Sequence, residues 1–154
     1  MALLPRARCS AAQVSGSGYL CGGFTPLSWP SLRNAFVGDS SGRTCLFSLV
    51  NAHGRPVRLR LSARHGHRAL HVSQASGPGF GVGADLLLME DAPADQRDSC
   101  YARAHSFELD QRAEAAAGLP PVAFAYDSTL LAGGRKDRDG NAHFAAREIE
   151  CYAL

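Results

Sequence analysis

The chain has 154 residues, 45% hydrophobic and 19% charged, which suits one domain with a core and is too apolar for a disordered polymer. A formal net charge of +2 with a single lysine, Lys136, excludes a nucleic-acid binder that works by charge, and no apolar run approaches the ~20 residues of a membrane-spanning helix. The five cysteines, at 9, 21, 45, 100 and 151, are odd in number and widely spaced without a C-x-x-C, so reduced buried thiols in a cytoplasmic-type compartment are expected rather than a disulfide framework or zinc site.

Residues 1–17 are small and polar, without apolar period, and are expected to be an irregular tail. Arg6, Arg8 and Arg33 all precede the first acidic residue, Asp39, a faint likeness to a mitochondrial leader. From Gly18 on, short apolar pieces alternate with Gly, Pro, Asn and Asp, the pattern of an all-β chain. Gly18 to Phe24 reads as a strand ending in a turn at Thr25-Pro26. Thr44 to Asn51 (TCLFSLVN) is continuously apolar and predicts a strand buried on both faces. After a turn at Asn51-Ala52-His53-Gly54, Pro56 to Ser62 alternates, with Val57, Leu59 and Leu61 inward and Arg58 and Arg60 outward.

A basic loop, Arg64-His65-Gly66-His67-Arg68, leads to Ala69–Ala75 and then to the glycine-rich run Gly77-Pro78-Gly79-Phe80-Gly81-Val82-Gly83. Ala84 to Met89 is the next strand, with Asp85 at its mouth. One helix is predicted: Asp110 caps it, Gln111 to Ala117 form it, Gly118 ends it, and Pro120-Pro121 prevent its return. Lys136 to Asn141 is a hairpin tip turning on Asp139-Gly140. The last strand, His143 to Leu154, changes the parity of its apolar residues between Phe144 and Ile149, which predicts a β-bulge near Arg147-Glu148.

Four patterns bear on chemistry. Gly79 to Ala84 fits G-x-G-x-x-[GA], but a dinucleotide site needs a helix after those glycines to meet the pyrophosphate, and Asp85-Leu86-Leu87-Leu88-Met89-Glu90 is too short and too apolar for one. The glycines are therefore read as a sheet corner, with a small-ligand or nucleotide site at 77–84 as the alternative. Asp137, Asp139, Asn141 and Glu148 resemble a calcium loop, but the glycine is misplaced and the flanks are strands. His53, His65, His67 and His71 share their region with arginines that repel a cation, so no metal is expected. Glu148 and Glu150 stand at i, i+2 on one strand face, where solvent or a partner is a better reading than paired-carboxylate catalysis. No cofactor and no catalytic residue are expected.

The ordered series Gly22-Gly23-Phe24, Ser28-Trp29, Cys45-Leu46-Phe47-Ser48-Leu49, Gly77-Pro78-Gly79-Phe80-Gly81 with Asp85-Leu86, and Phe144 with Glu148-Ile149-Glu150-Cys151 resembles the TLDc domain of oxidation-resistance proteins, over Gly18 to Leu154. The resemblance implies an antiparallel two-sheet β-sandwich with few peripheral helices, in which Gly22, Gly23, Trp29, Phe47, Gly77, Pro78, Phe80, Gly81 and Asp85 are scaffold positions. It also implies a non-enzymatic part in protection against oxidative damage and, as in several members, binding to subunits of the vacuolar proton-pumping ATPase. Members of that family carry a helix and a strand ahead of the GGF strand, and both are expected to be missing here, leaving an open edge. Arg64, Arg68, Glu148 and Glu150 are the expected partner surface.

Overall fold

Alternation along Val57–Leu61 sets the architecture: Val57, Leu59 and Leu61 are buried while Arg58 and Arg60 are exposed, so one face of this strand meets a core and the other water. The computed structural model describes residues 7–14, 18–27, 35–73, 77–82, 85–87, 100–133 and 136–153, with only the backbone given for β1 and most of β12. In chain order these carry β1 (Ala7–Val14), β2 (Leu20–Phe24), β3 (Ala35–Val37), β4 (Cys45–Val50), β5 (Val57–Leu61), a 3-10 segment at Ala63–Arg68, β6 (Leu70–Ser73), β7 (Gly77–Phe80) and β8 (Leu86–Leu87). β9 (Cys100–Ala102), β10 (Phe107–Leu109), α1 (Gln111–Ala116), α2 (Thr129–Ala132), β11 (Ala142–Phe144) and β12 (Ala146–Ala153) follow.

Two antiparallel six-stranded sheets result, in the orders β10-β5-β4-β2-β1-β12 and β11-β9-β8-β7-β6-β3, a β-sandwich as expected. We call them the first and second sheets. Register lines up the buried residues in rows. In the second sheet Leu70, Phe80, Leu86, Ala102 and Ala142 are successive cross-strand partners, and all are buried. In the first sheet Leu46 pairs with Leu59, and Cys21 pairs with Ser48, which pairs with Val57. These rows form one core, closed at one end by Leu130 and Leu131 of α2.

The N-terminal expectation is corrected. Ala7–Val14 is a strand, hydrogen-bonded on one side to β2 (Ala11 opposite Gly22) and on the other to β12 (Ala11 opposite Glu150). β2 is therefore a covered strand and not an open edge. The sequence of β1, ARCSAAQV, has no apolar period that sequence reading could detect, and its backbone is held in two ladders of hydrogen bonds.

The expected bulge is present: Gln13 faces Glu148 but Val14 faces Ala146, leaving Arg147 unpaired. The single terminal strand, however, is two strands. β11 pairs with β9 in the second sheet and β12 with β1 in the first, so the chain crosses between layers at Ala145. Both events contribute to the parity change.

α1 forms as read. Asp110 accepts the Ala113 N–H at 3.1 Å, and Gly118 takes φ +74° just past the end. It docks through buried Glu114, whose carboxylate meets Arg55 at 2.7 Å. α2 and the 3-10 turn at Ala63–Arg68 were not anticipated. The 3-10 turn lies where a basic loop was read, with no buried residue to give it a periodic signature. Among the described residues no helix is long and apolar enough to cross a membrane.

Candidate functional site

The glycine-rich run is a strand and a tight turn whose donors face inward. β7 pairs with β6 through His71–Gly79 and Leu70–Phe80. Gly81 then turns with φ +86°, its N–H donating to the Ala69 carbonyl at 2.8 Å, while the Val82 N–H donates to Ser106 Oγ at 2.8 Å. A phosphate cradle needs such N–H groups free and pointing into a cleft. Here both are used, and a Cβ at Gly81 would already stand 3.0 Å from Asp85 Oδ1 and Ser106 Oγ. Strand β8 occupies the position where a nucleotide site requires a helix. The corner reading of these glycines fits this geometry.

Asp85 is the organising group. It is fully buried, and its Oδ2 accepts the backbone N–H groups of His105 (3.0 Å), Ser106 (2.7 Å) and Phe107 (3.2 Å). Its carbonyl accepts the Arg103 N–H at 2.8 Å, and the Tyr126 hydroxyl donates to the Arg103 carbonyl at 2.8 Å. Among the described residues no hydrogen bond is made to Oδ1 within ordinary bonding geometry. Burial pushes the Asp85 carboxyl above its ordinary value, against the lowering effect of the three N–H groups and the Ser106 hydroxyl. The group ties the β8 entry to the β9–β10 loop. Sequence reading placed Asp85 as a scaffold residue but gave it no bonding role, because its partners lie some twenty residues on and are backbone atoms.

The other scaffold positions divide. Gly22 and Gly23 are buried in β2, Phe80 is buried in the core, and Gly77 and Pro78 lie in β7. Trp29 lies outside the described residues. Phe47 is corrected: it is partly exposed and points away from the core, because Leu46 and Ser48 take the inward positions of β4. Leu49, 46% exposed, shares its face, so β4 is not buried on both sides.

The residues of the expected partner surface lie on two separate elements. Arg64 and Arg68 are exposed on the 3-10 turn that leaves β5, and Arg68 lies over the Phe36 ring at 4.7 Å. Glu150 is exposed on β12, at the far edge of the first sheet; the Glu148 side chain lies outside the described residues. Four strand spacings separate β5 from β12, about 19 Å.

The histidines disperse likewise. His53 stacks on Phe124 (3.7 Å), His71 on Phe36 (4.6 Å), and His65 leans on His105 (4.9 Å) while its Nδ1 meets Ser62 Oγ at 2.8 Å. No group of metal-ligating side chains occurs among the described residues. At the 136–141 hairpin, Asp137 Oδ1 accepts the N–H groups of Asp139 (2.8 Å) and Asn141 (2.9 Å), and Oδ2 meets His143 Nε2 at 2.8 Å. The Asn141 N–H, then His143, hold this carboxyl down at about 2. It serves its own turn, as the hairpin reading requires.

Among the described residues, a groove of about 490 Å3 lies open on the outer face of the first sheet. Phe24, Phe47, Leu49 and Pro56 supply its apolar lining, and Arg43 and Arg58 its cations. Register explains the grouping: Phe24 pairs with Cys45, and Phe47 pairs with Arg58, so outward residues of β2, β4 and β5 stand side by side. A second cavity, about 600 Å3, lies between the 38–42 loop and Leu61–His67. Its carboxylate, Asp39, is committed to Ser41 through Oδ1 and to the Thr44 N–H and hydroxyl through Oδ2.

No family model, curated protein or solved structure matches this chain.

Proposed function

We propose that this β-sandwich is a non-enzymatic protein-interaction domain of TLDc type, which protects against oxidative damage by contacting subunits of the vacuolar proton-pumping ATPase. The observation that carries the interaction reading is the outer face of the first sheet. Phe47 and Leu49 point from the middle of a strand into solvent beside an arginine-rimmed groove, a place where a monomer gains nothing by putting them. Among the described residues, several buried polar side chains are taken up by structural bonds. Asp85, Asp39, Thr25, Thr44 and Ser48 bond to the backbone or to one another. The family and pump assignments rest on the sequence series alone. Burial, together with the nearby Cys100, pushes the Cys21 thiol up to about 12, too high for a scavenging nucleophile.

The test has two arms. Purified pump subunits are titrated onto immobilised domain, and saturable binding is expected. In parallel, thermal melts are run with ATP, NAD and calcium. A ligand at a hundred times its Kd adds ~2.7 kcal/mol, so a clear upward shift with any of them would replace this reading with the small-ligand one at 77–84. Absence of pump binding removes the pump assignment.

A further inference from the structure

We propose that the outer-face groove of the first sheet takes an acidic amphipathic segment of a partner protein, its apolar side chains seated between Phe24, Phe47 and Leu49 and its carboxylates against Arg43 and Arg58. This deepens the interaction-domain reading and rests on it.

The occupant follows from charge and shape. Arg43 forms no ion pair with another described residue. Arg58 reaches Asp110 only at 3.7 Å, with both groups partly exposed, and a pair of that kind is worth about 0–1 kcal/mol, so the guanidinium can be redirected at little cost. Next along β5, Arg60 faces the same side but is paired with Glu108 at 2.7 Å, so the cations open to a partner are Arg43 and Arg58. The groove floor is a pleated strand surface bearing aromatic and aliphatic groups, too open to enclose a small molecule. A helix or extended segment with one apolar and one acidic face matches both features. Glu150 marks the limit of the acidic footprint. Register puts it on the same face, three strands from Phe47 and about 14 Å away, so the partner's carboxylates belong at the β4–β5 side.

The probe is a synthetic amphipathic peptide with leucines at i, i+3, i+4 spacing and glutamates elsewhere, compared with the same peptide carrying lysines. Binding is read by anisotropy, and the contacts by amide shifts of the full chain. The glutamate peptide is expected to bind and to move β4 and β5 amides, and the lysine peptide is not. Arg43→Glu and Leu49→Asp, both at solvent-facing positions, are expected to weaken binding at least about tenfold with melting temperature unchanged. Arg138→Glu makes the same charge change on the remote hairpin tip and is expected to bind like the parent. Equal binding of the two peptides, or parental affinity in Arg43→Glu and Leu49→Asp, overturns the proposal. If pump subunits bind the parent and Leu49→Asp alike while no peptide binds, the groove is wrong and the interaction reading stands. If the peptide binds and the pump subunits do not, the groove and the interaction reading stand and the pump assignment falls.

Discussion

Gly23 and Phe80 meet face to face across the sandwich. A methyl group on Gly23 would stand 2.5–2.7 Å from three atoms of the Phe80 ring. Gly23 belongs to β2 in the first sheet and Phe80 to β7 in the second, so this contact sets how closely the two layers approach at that point. The glycine is there for space and not for φ, because its backbone is ordinary extended strand.

Gly23→Ala is therefore expected to destabilise the fold by about 1–3 kcal/mol through overpacking. Phe80→Leu alone should also be destabilising, by leaving a partial void. The double substitution should be less destabilising than the sum of the two, because the smaller side chain makes room for the methyl. Urea denaturation of the four proteins checks this. Strict additivity would mean the ring does not rest on Gly23.

Gly81 is needed for both reasons at once. Its φ of +86° disfavours any side chain, and the Cβ would press on Asp85 Oδ1, Ser106 Oγ and the Phe107 ring at 3.0–3.1 Å. Gly140 has a similar φ of +82°, with nothing near the position its Cβ would take. Gly81→Ala is expected to destabilise by about 2–4 kcal/mol, the sum of backbone strain and overpacking, and Gly140→Ala by about 1 kcal/mol from strain alone. Equal losses in thermal melts would show that the space around Gly81 is not filled as described.

Both glycines lie in segments that the sequence singled out, and what was legible there was the need for glycine, not its cause. Local signals carried well for the β5 alternation, the Asp110 cap with Gly118 and the Arg147 bulge, which all rest on residues close in the chain; the 136–141 turn forms one residue earlier than read, on Arg138-Asp139, with Gly140 donating to the Asp137 carbonyl. Failures came where a strand is defined by its neighbours. β1 has no apolar period and exists because β2 and β12 offer backbone partners on both sides. Phe47 was read into the core because an unbroken apolar run does not reveal which of its faces is solvated. The groove was missed for the same reason, since Phe24, Phe47 and Arg58 become neighbours only through strand register.

Asp85 and Asp39 are expected to give stability of opposite slope against pH. For Asp85, burial raises the carboxyl above its ordinary value, so in that window the folded chain binds more protons than the unfolded one. Stability then falls as pH rises through the raised value. For Asp39, burial also opposes ionisation, but hydrogen bonds from Ser41 and Thr44 outweigh it and lower the value. Its contribution is present above the unfolded value and is lost as pH falls through the lowered one. Asp85→Asn keeps a carbonyl oxygen for the three N–H groups and removes the charge. Its disadvantage relative to the parent should shrink as pH rises toward neutrality. Asp39→Asn should cost about 1–3 kcal/mol at neutral pH and progressively less in acid. Urea midpoints across a pH series decide it. Parallel slopes for the two variants would show that the N–H groups outweigh burial at Asp85, against the direction assigned here.

A proline in β1 distinguishes a paired strand from a loose tail. Ala11 sits opposite Gly22 on one side and Glu150 on the other, inside the six-stranded sheet. Proline there removes an N–H donor and places its ring within the ladder, and within a sheet it is tolerated only at edges or bulges. Ala11→Pro should destabilise by about 3 kcal/mol or more and release protection of the β2 amides, which lose their cover on the β1 side. Hydrogen exchange of Leu20–Phe24 reads this directly, with proline at Ser40 in the exposed 38–42 loop as the comparison. If Ala11→Pro leaves both the melting temperature and the β2 protection at parental values, residues 7–14 contribute no strand to the sheet.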